Sequence, residues 1–281
     1  MTSLAKFSQN SLAEFVTRCS TDALTEELAT YPKPGLVSFI DHGSHPDMEP
    51  ECFQASIAAI APYLGHMADA GSEGCELVEL QRIGIAAEEA MLAATRGRNT
   101  HRGAIYCLGL LAAAAGRRMT DGQFRKNSLG AIVMEEWGPE ILLPRDLLPM
   151  SQGLKACHRH RLSGIRGEAK RGFPAVFEIG LPAFQSALPR VGRAAARVHT
   201  FFKLMRASED TTLWHRGGED GYLLAQKLAD KFLRDGSVFS THWWDEARKI
   251  HRIFVEHNLT AGGTADLLAA TLFVHALQGE S

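Results

Sequence analysis

Carboxylates, histidines and clustered cations stand in five stretches of this chain where such side chains could move protons, hold a metal or grip phosphate. The first is YPKPGLVSFIDHGSHPDM, residues 31–48, with three prolines, two glycines, two aspartates and two histidines. A plain helix–helix connection takes about 2–8 residues, so a longer, stiffer one reads as functional. Asp41, His45 and Asp47 are its candidate catalytic groups, Asp47 also a candidate metal ligand, and Lys33 a candidate substrate contact. In GRNTHRG, residues 97–103, Asn99 or Thr100 can cap the helix that follows. That helix start would offer free N–H groups to phosphate, with Asn99, His101 and Arg102 as further donors. The bland alternative is an ordinary cap with solvated arginines.

KACHRHRLSGIRGEAKRGFP, residues 155–174, holds six Lys or Arg and one acid, Glu168. It reads as a solvated helix face, or as a polyphosphate clamp built on Arg166, Lys170 and Arg171. Glu168, alone among cations, could accept a hydroxyl proton or hold a metal. SEDTTLWHRGGEDG, residues 208–221, interrupts two helical patterns. Glu209 and Asp210 could bind Mg²⁺ through oxygen, with Arg216 on substrate; alternatively Asp210 or Thr211 is an N-cap. LTAGGTADLLAA, residues 259–270, places Asp266 early in a helix, where it could serve the helix dipole or a metal. The histidines match no standard zinc spacing. GxSxG, Walker A and GxGxxG patterns are absent, so any nucleotide site is of another kind.

The elements that must hold these stretches read as helices. Leu12, Phe15, Val16, Cys19, Ala23 and Leu24 recur at steps of three and four, and so do Phe53, Ile57, Ile60, Leu64 and Met67. Alanine is abundant, and no run alternates as a strand would. About ten helices are predicted, in one all-α domain over residues 1–281 with more than one layer. GPEILLPRDLLPMSQG, residues 138–153, is the one irregular crossing foreseen. Thirty Lys and Arg against 32 Asp and Glu give a net charge of −2, which argues against a general nucleic-acid or membrane-surface binder. Five scattered cysteines without CxxC suit reduced thiols in a cytoplasmic protein. The amino-terminal residues lack the apolar core of a signal peptide, and AIYCLGLLAAAA is too short to span a bilayer.

PKPGLV with DHGSHPDM, NTHRGAIYCLGLLAAAAG, GEAKRGFPAVFEIGLP, EDTTLWHRGG and AGGTADLLAA together resemble the triphosphoribosyl-dephospho-CoA synthases. The pieces keep the family's order from Pro32 to Ala270 and look most like the malonate decarboxylase branch, with the citrate lyase branch as the near alternative. Arg102 stands where lysine is common, Lys170-Arg171-Gly172 where Arg-Gly-Gly is expected, and Thr212 where asparagine is usual. The resemblance implies that ATP and 3′-dephospho-CoA give 2′-(5″-triphosphoribosyl)-3′-dephospho-CoA and adenine, with Mg²⁺ expected. It implies further that a separate transferase moves the product to an acyl carrier protein. Homo-oligomerisation is left open. The competing readings are an all-α, Mg²⁺-dependent ADP-ribosyl hydrolase and a non-enzymatic CoA or nucleotide binder.

Overall fold

Leucine and alanine at helical spacing produce helices and, among the described residues, no strand. The computed structural model describes residues 9–142 and 152–279. The α-helices are α1 (Gln9–Leu28), α2 (Pro50–Ser72), α3 (Leu77–Ala94), α4 (Arg102–Thr120), α5 (Leu129–Glu136), α6 (Gly138–Ile141), α7 (Gln152–His160), α8 (Gly164–Lys170), α9 (Leu181–Ala207), α10 (Thr211–Arg234), α11 (Trp243–Glu256) and α12 (Gly262–Gly279). A π-helical turn, Ala175–Gly180, leads into α9. Twelve helices thus stand where about ten were predicted, the surplus coming from short ones such as α6 and α8. Of the foreseen irregular crossing, 138–142 contains α6, and 143–151 lies outside the described residues.

The centre is α4. From Ala104 to Gly116 nearly every residue is buried, so the helix is apolar all round and needs neighbours on every side. It packs against α2, α3, α5 and α12, while α1 and α9 close over α12. One hydrophobic cluster runs from Leu12 to Leu277. None of the helices among the described residues is long and apolar enough to cross a membrane.

Small residues set the α2–α4 distance. A methyl group at Gly71 would overlap the Ala113 carbonyl, and one at Gly116 would overlap the Ala68 carbonyl. Helix propensity alone favours Gly→Ala by about 1 kcal/mol. Backbone overlap opposes it, since overpacking costs about 1–3 kcal/mol. Gly116→Ala is therefore expected to lower stability in urea unfolding; a stabilised variant would show that the two helices can part freely.

The stretch 208–221, expected to interrupt two helices, is helical from Thr211 onward. Gly-Gly makes a kink instead of a loop: Gly218 has φ 59° and ψ −155° within α10. The bend lets Trp214 and Tyr222 stack at 5.1 Å, although eight residues separate them.

Candidate active site

The amino-terminal ends of α4, α10 and α12 are joined by two carboxylates. Asp210 is the N-cap of α10. Its Oδ1 accepts from Thr212 N (2.9 Å), Thr212 Oγ1 (2.5 Å) and Leu213 N (3.3 Å). Its Oδ2 accepts from Thr264 N (2.7 Å) and Thr264 Oγ1 (2.8 Å). Five donors fill a buried carboxylate and tie α10 to α12, which is the capping alternative rather than an open metal ligand.

Asp266 lies one position beyond the first turn of α12, so its own helix does not claim it. Its carboxyl instead reaches the start of α4, where the Ala104 N–H bonds to it. A methyl at Gly103 would collide with its Oδ2, so only glycine allows this approach. Burial first, then the nearby charges of Glu27 and Asp210, push the Asp266 carboxyl well above the ordinary carboxylate range; the Ala104 N–H and Lys33 oppose this. A carboxyl pushed toward its protonated form beside a helix start is a candidate proton donor.

Lys33, expected on substrate, is 1% exposed. Its ammonium is bound by the Glu27 carboxylate and donates to the Glu27 carbonyl at 2.9 Å. It is a fixed charge beneath the site, felt at Asp266, His45 and His101. His101 is also buried and forms the N-cap position of α4. Its Nδ1 pairs with Ser56 Oγ at 2.7 Å, and Nε2 has no partner. Asn99 does serve the helix end, accepting from Arg102 N at 3.2 Å, whereas the Thr100 hydroxyl turns away to Ser56. Arg102 pairs with Glu88 at 2.8 Å.

The rigid loop 31–48 brings His45 to Arg216, both expected at the site. Arg216 Nη2 stands 3.4 Å from His45 Nδ1, so His45 Nε2 carries the proton and donates to Thr260 Oγ1 at 3.0 Å. Arg216 also donates to Asn258 Oδ1 at 2.7 Å. Burial, then the Arg216 charge, lowers the His45 pKa to about 4. Asp41 is drawn elsewhere, accepting from Gly43 N at 3.0 Å and facing His251 Nε2 at 3.2 Å. Asp47 is exposed, its charge felt at His45 and Cys52.

The clamp is only partly assembled. Arg166 donates through Nε to the Ile141 carbonyl at 2.9 Å and also bonds Tyr106. Glu168 accepts from Ala175 N at 2.6 Å and from Arg171 at 3.1 Å. Lys155, Arg159, Arg161, Lys170 and Arg171 are exposed, as the solvated-face alternative has it. The charges of Glu168 and Asp266 nevertheless both reach the buried Cys107 thiol of α4 and, after burial, push it up. Glu209 accepts from Ser163 N at 3.0 Å and is otherwise exposed. Among the described residues no three His, Cys, Asp or Glu side chains gather as an ion cage.

Glu27, Thr260, Gly103 and His251 were not singled out in the sequence. Thr260 and Gly103 lie inside stretches that were; Glu27 and His251 sit in ordinary amphipathic helices.

His101 gives a pH test. Burial, then Lys33, lowers its pKa from 6.5 to about 3. Below pH 6.5 the unfolded chain takes up a proton that the folded chain refuses until about pH 3, so this residue makes stability fall through that window. His101→Gln is expected to flatten the fall in urea unfolding between those limits; an unchanged slope would mean that other groups set it.

A family model described as CitG: ATP:dephospho-CoA triphosphoribosyl transferase matches residues 13–281. The 2-(5''-triphosphoribosyl)-3'-dephosphocoenzyme-A synthase of Klebsiella pneumoniae is 36% identical, over 94% of this chain and 91% of the relative. The protein of the same name from Pectobacterium atrosepticum is 37% identical, over 90% of this chain and 86% of the relative. No solved structure matches this chain.

Proposed function

The chain belongs to the CitG family of ATP:dephospho-CoA triphosphoribosyl transferases, and from that premise we propose that its synthase reaction is run from the junction of α4, α10 and α12, with Asp266 as the acid. The acceptor's 2′-oxygen attacks C1′ of the ATP ribose, the bond to adenine N9 breaks, and the oxocarbenium-like centre passes from one nitrogen to one oxygen. The hydroxyl proton must leave and adenine must gain one. Glu168, whose charge reaches Cys107 of α4 as that of Asp266 does, takes the first; the protonated Asp266 supplies the second. The observation that carries this assignment is the Asp266 carboxyl, held at the start of α4 among Glu27, Asp210 and Lys33.

The triphosphate falls to the exposed cations Lys170, Arg171 and Arg216, with the half-buried Arg102 at the start of α4. Mg²⁺ suits such a site as a passenger on the triphosphate, since it takes one or two carboxylates besides phosphate oxygens. Asp47 and Glu209, both exposed, are the carboxylates free to meet it, and the ion would offset phosphate charge. Asp41 and His45 then serve as framework, because their polar atoms are already engaged by His251, Arg216 and Thr260.

The loop resemblance favours a malonate decarboxylase acyl carrier protein as the final recipient, by way of a separate transferase; a citrate lyase carrier is the other client. Mass spectrometry of a reaction with ATP, Mg²⁺ and dephospho-CoA tests the chemistry. The expected product has the mass of dephospho-CoA plus ATP less adenine. Unaltered dephospho-CoA beside free ribose triphosphate would contradict it, and supplying each carrier with its transferase would identify the client.

A further inference from the structure

On α11, Trp244, Arg248, Arg252 and Val255 follow one another at steps of three and four and are all exposed. The turn at residues 38–41 adds two outward apolar side chains beside them, Phe39 at 46% and Ile40 at 67% exposure. The two segments are firmly joined. The Tyr31 ring lies 5.7 Å from that of Trp244 and 5.6 Å from that of His251. Its hydroxyl engages Asp41 and Arg248, and Asp41 faces His251. Scattered exposed apolar residues need no explanation, but several gathered on a rigid surface do.

This surface leads into the site. Past the end of α11, Asn258 accepts from Arg216, which also holds His45. Outward from Asn258 come Arg252, Arg248 and then Trp244, with the turn at residues 38–41 tied to this helix through Asp41. At 1.5 Å per residue the helical face from Val255 to Trp244 is about 16 Å long.

We infer that this face of α11, with the turn at residues 38–41, seats the outer half of dephospho-CoA: Arg252 and Arg248 hold its diphosphate, and Trp244, Phe39 and Ile40 cover its pantetheine arm. The inference rests on the synthase reading. The order of groups decides it. Guanidinium forks suit a diphosphate, and the methyl and methylene groups of the arm gain from apolar cover. Adenosine, diphosphate and arm then run in the same order as the cleft, the two arginines and the apolar patch. ATP has no arm, so the patch serves the acceptor alone.

Ile40→Ser, Trp244→Ala and Arg252→Gln separate the possibilities. Each is expected to raise KM for dephospho-CoA about tenfold, the scale of one lost interface contact, with KM for ATP unmoved. Ile40 lies at an exposed turn tip, so its variant keeps the fold even where Trp244→Ala does not. An unchanged KM for dephospho-CoA, or an equal rise for both substrates, overturns the inference. If the wild type makes no product, the synthase reading fails by itself. Calorimetric titration of dephospho-CoA then still decides the surface: a weaker Kd in the variants supports it, and an unchanged one overturns it. A wild-type dimer that Trp244→Ala dissociates, with dephospho-CoA binding unaltered, would make the patch a contact between copies and also overturn the inference.

Discussion

Asp266→Asn is expected to remove nearly all adenine release while leaving the chain folded and no less stable. The substitution keeps size and keeps an oxygen for the Ala104 N–H, but it cannot deliver a proton. Loss of a positioned acid costs about 10²–10⁴ in rate. Stability follows from the direction of the Asp266 shift. A carboxyl raised well above its ordinary range favours folding at low pH, and that contribution is lost as pH rises toward the folded value. The amide has no such loss, so near neutrality the variant should unfold at equal or higher urea concentration. Turnover retained in full would remove Asp266 from the chemistry. Turnover lost together with stability would make it a structural residue.

Asp210→Asn is expected to do the opposite to stability. The carboxylate accepts five hydrogen bonds from Thr212, Leu213 and Thr264. An amide offers one acceptor oxygen and turns N–H groups toward the remaining donors. Leaving a buried donor unsatisfied costs about 1–3 kcal/mol. Activity should fall at least about a hundredfold as the α10–α12 junction loosens, at any Mg²⁺ concentration, because misplacement by an ångström carries that penalty. Urea unfolding and a Mg²⁺ titration of turnover check this together. A stable variant rescued by excess Mg²⁺ would restore Asp210 as a metal ligand.

Helices were legible because apolar spacing in α1, α2 and α4 is a local property. The kink at Gly218 was not: the Asp210 cap was readable as an alternative, but Gly-Gly reads as a loop until Leu213 is buried, which is a long-range fact. The site divides in the same way. His45 and Arg216 were picked from separate stretches and meet at 3.4 Å. Lys33 was expected on substrate, but Glu27, six residues earlier on α1, draws it inward. Asp266 looked like an acid serving its own helix's dipole or a metal; its placement at α4 depends on a missing side chain at Gly103, which spacing along α12 cannot reveal. Asp41 was expected with His45 and Asp47 as a catalytic group, yet His251, more than two hundred residues later, takes it.

Adenine release from ATP and Mg²⁺, followed alone, with dephospho-CoA, and with CoA, tests the transfer most directly. The 2′-hydroxyl attacks the carbon that adenine leaves, and a closed site keeps water from acting as a rival. CoA carries a phosphate on the neighbouring 3′-oxygen, which adds bulk and negative charge beside the nucleophile. Rapid release is therefore expected with dephospho-CoA, much slower release with CoA, and almost none with ATP alone. Equal release in all three mixtures would make water the acceptor and contradict the transfer of ribose to dephospho-CoA.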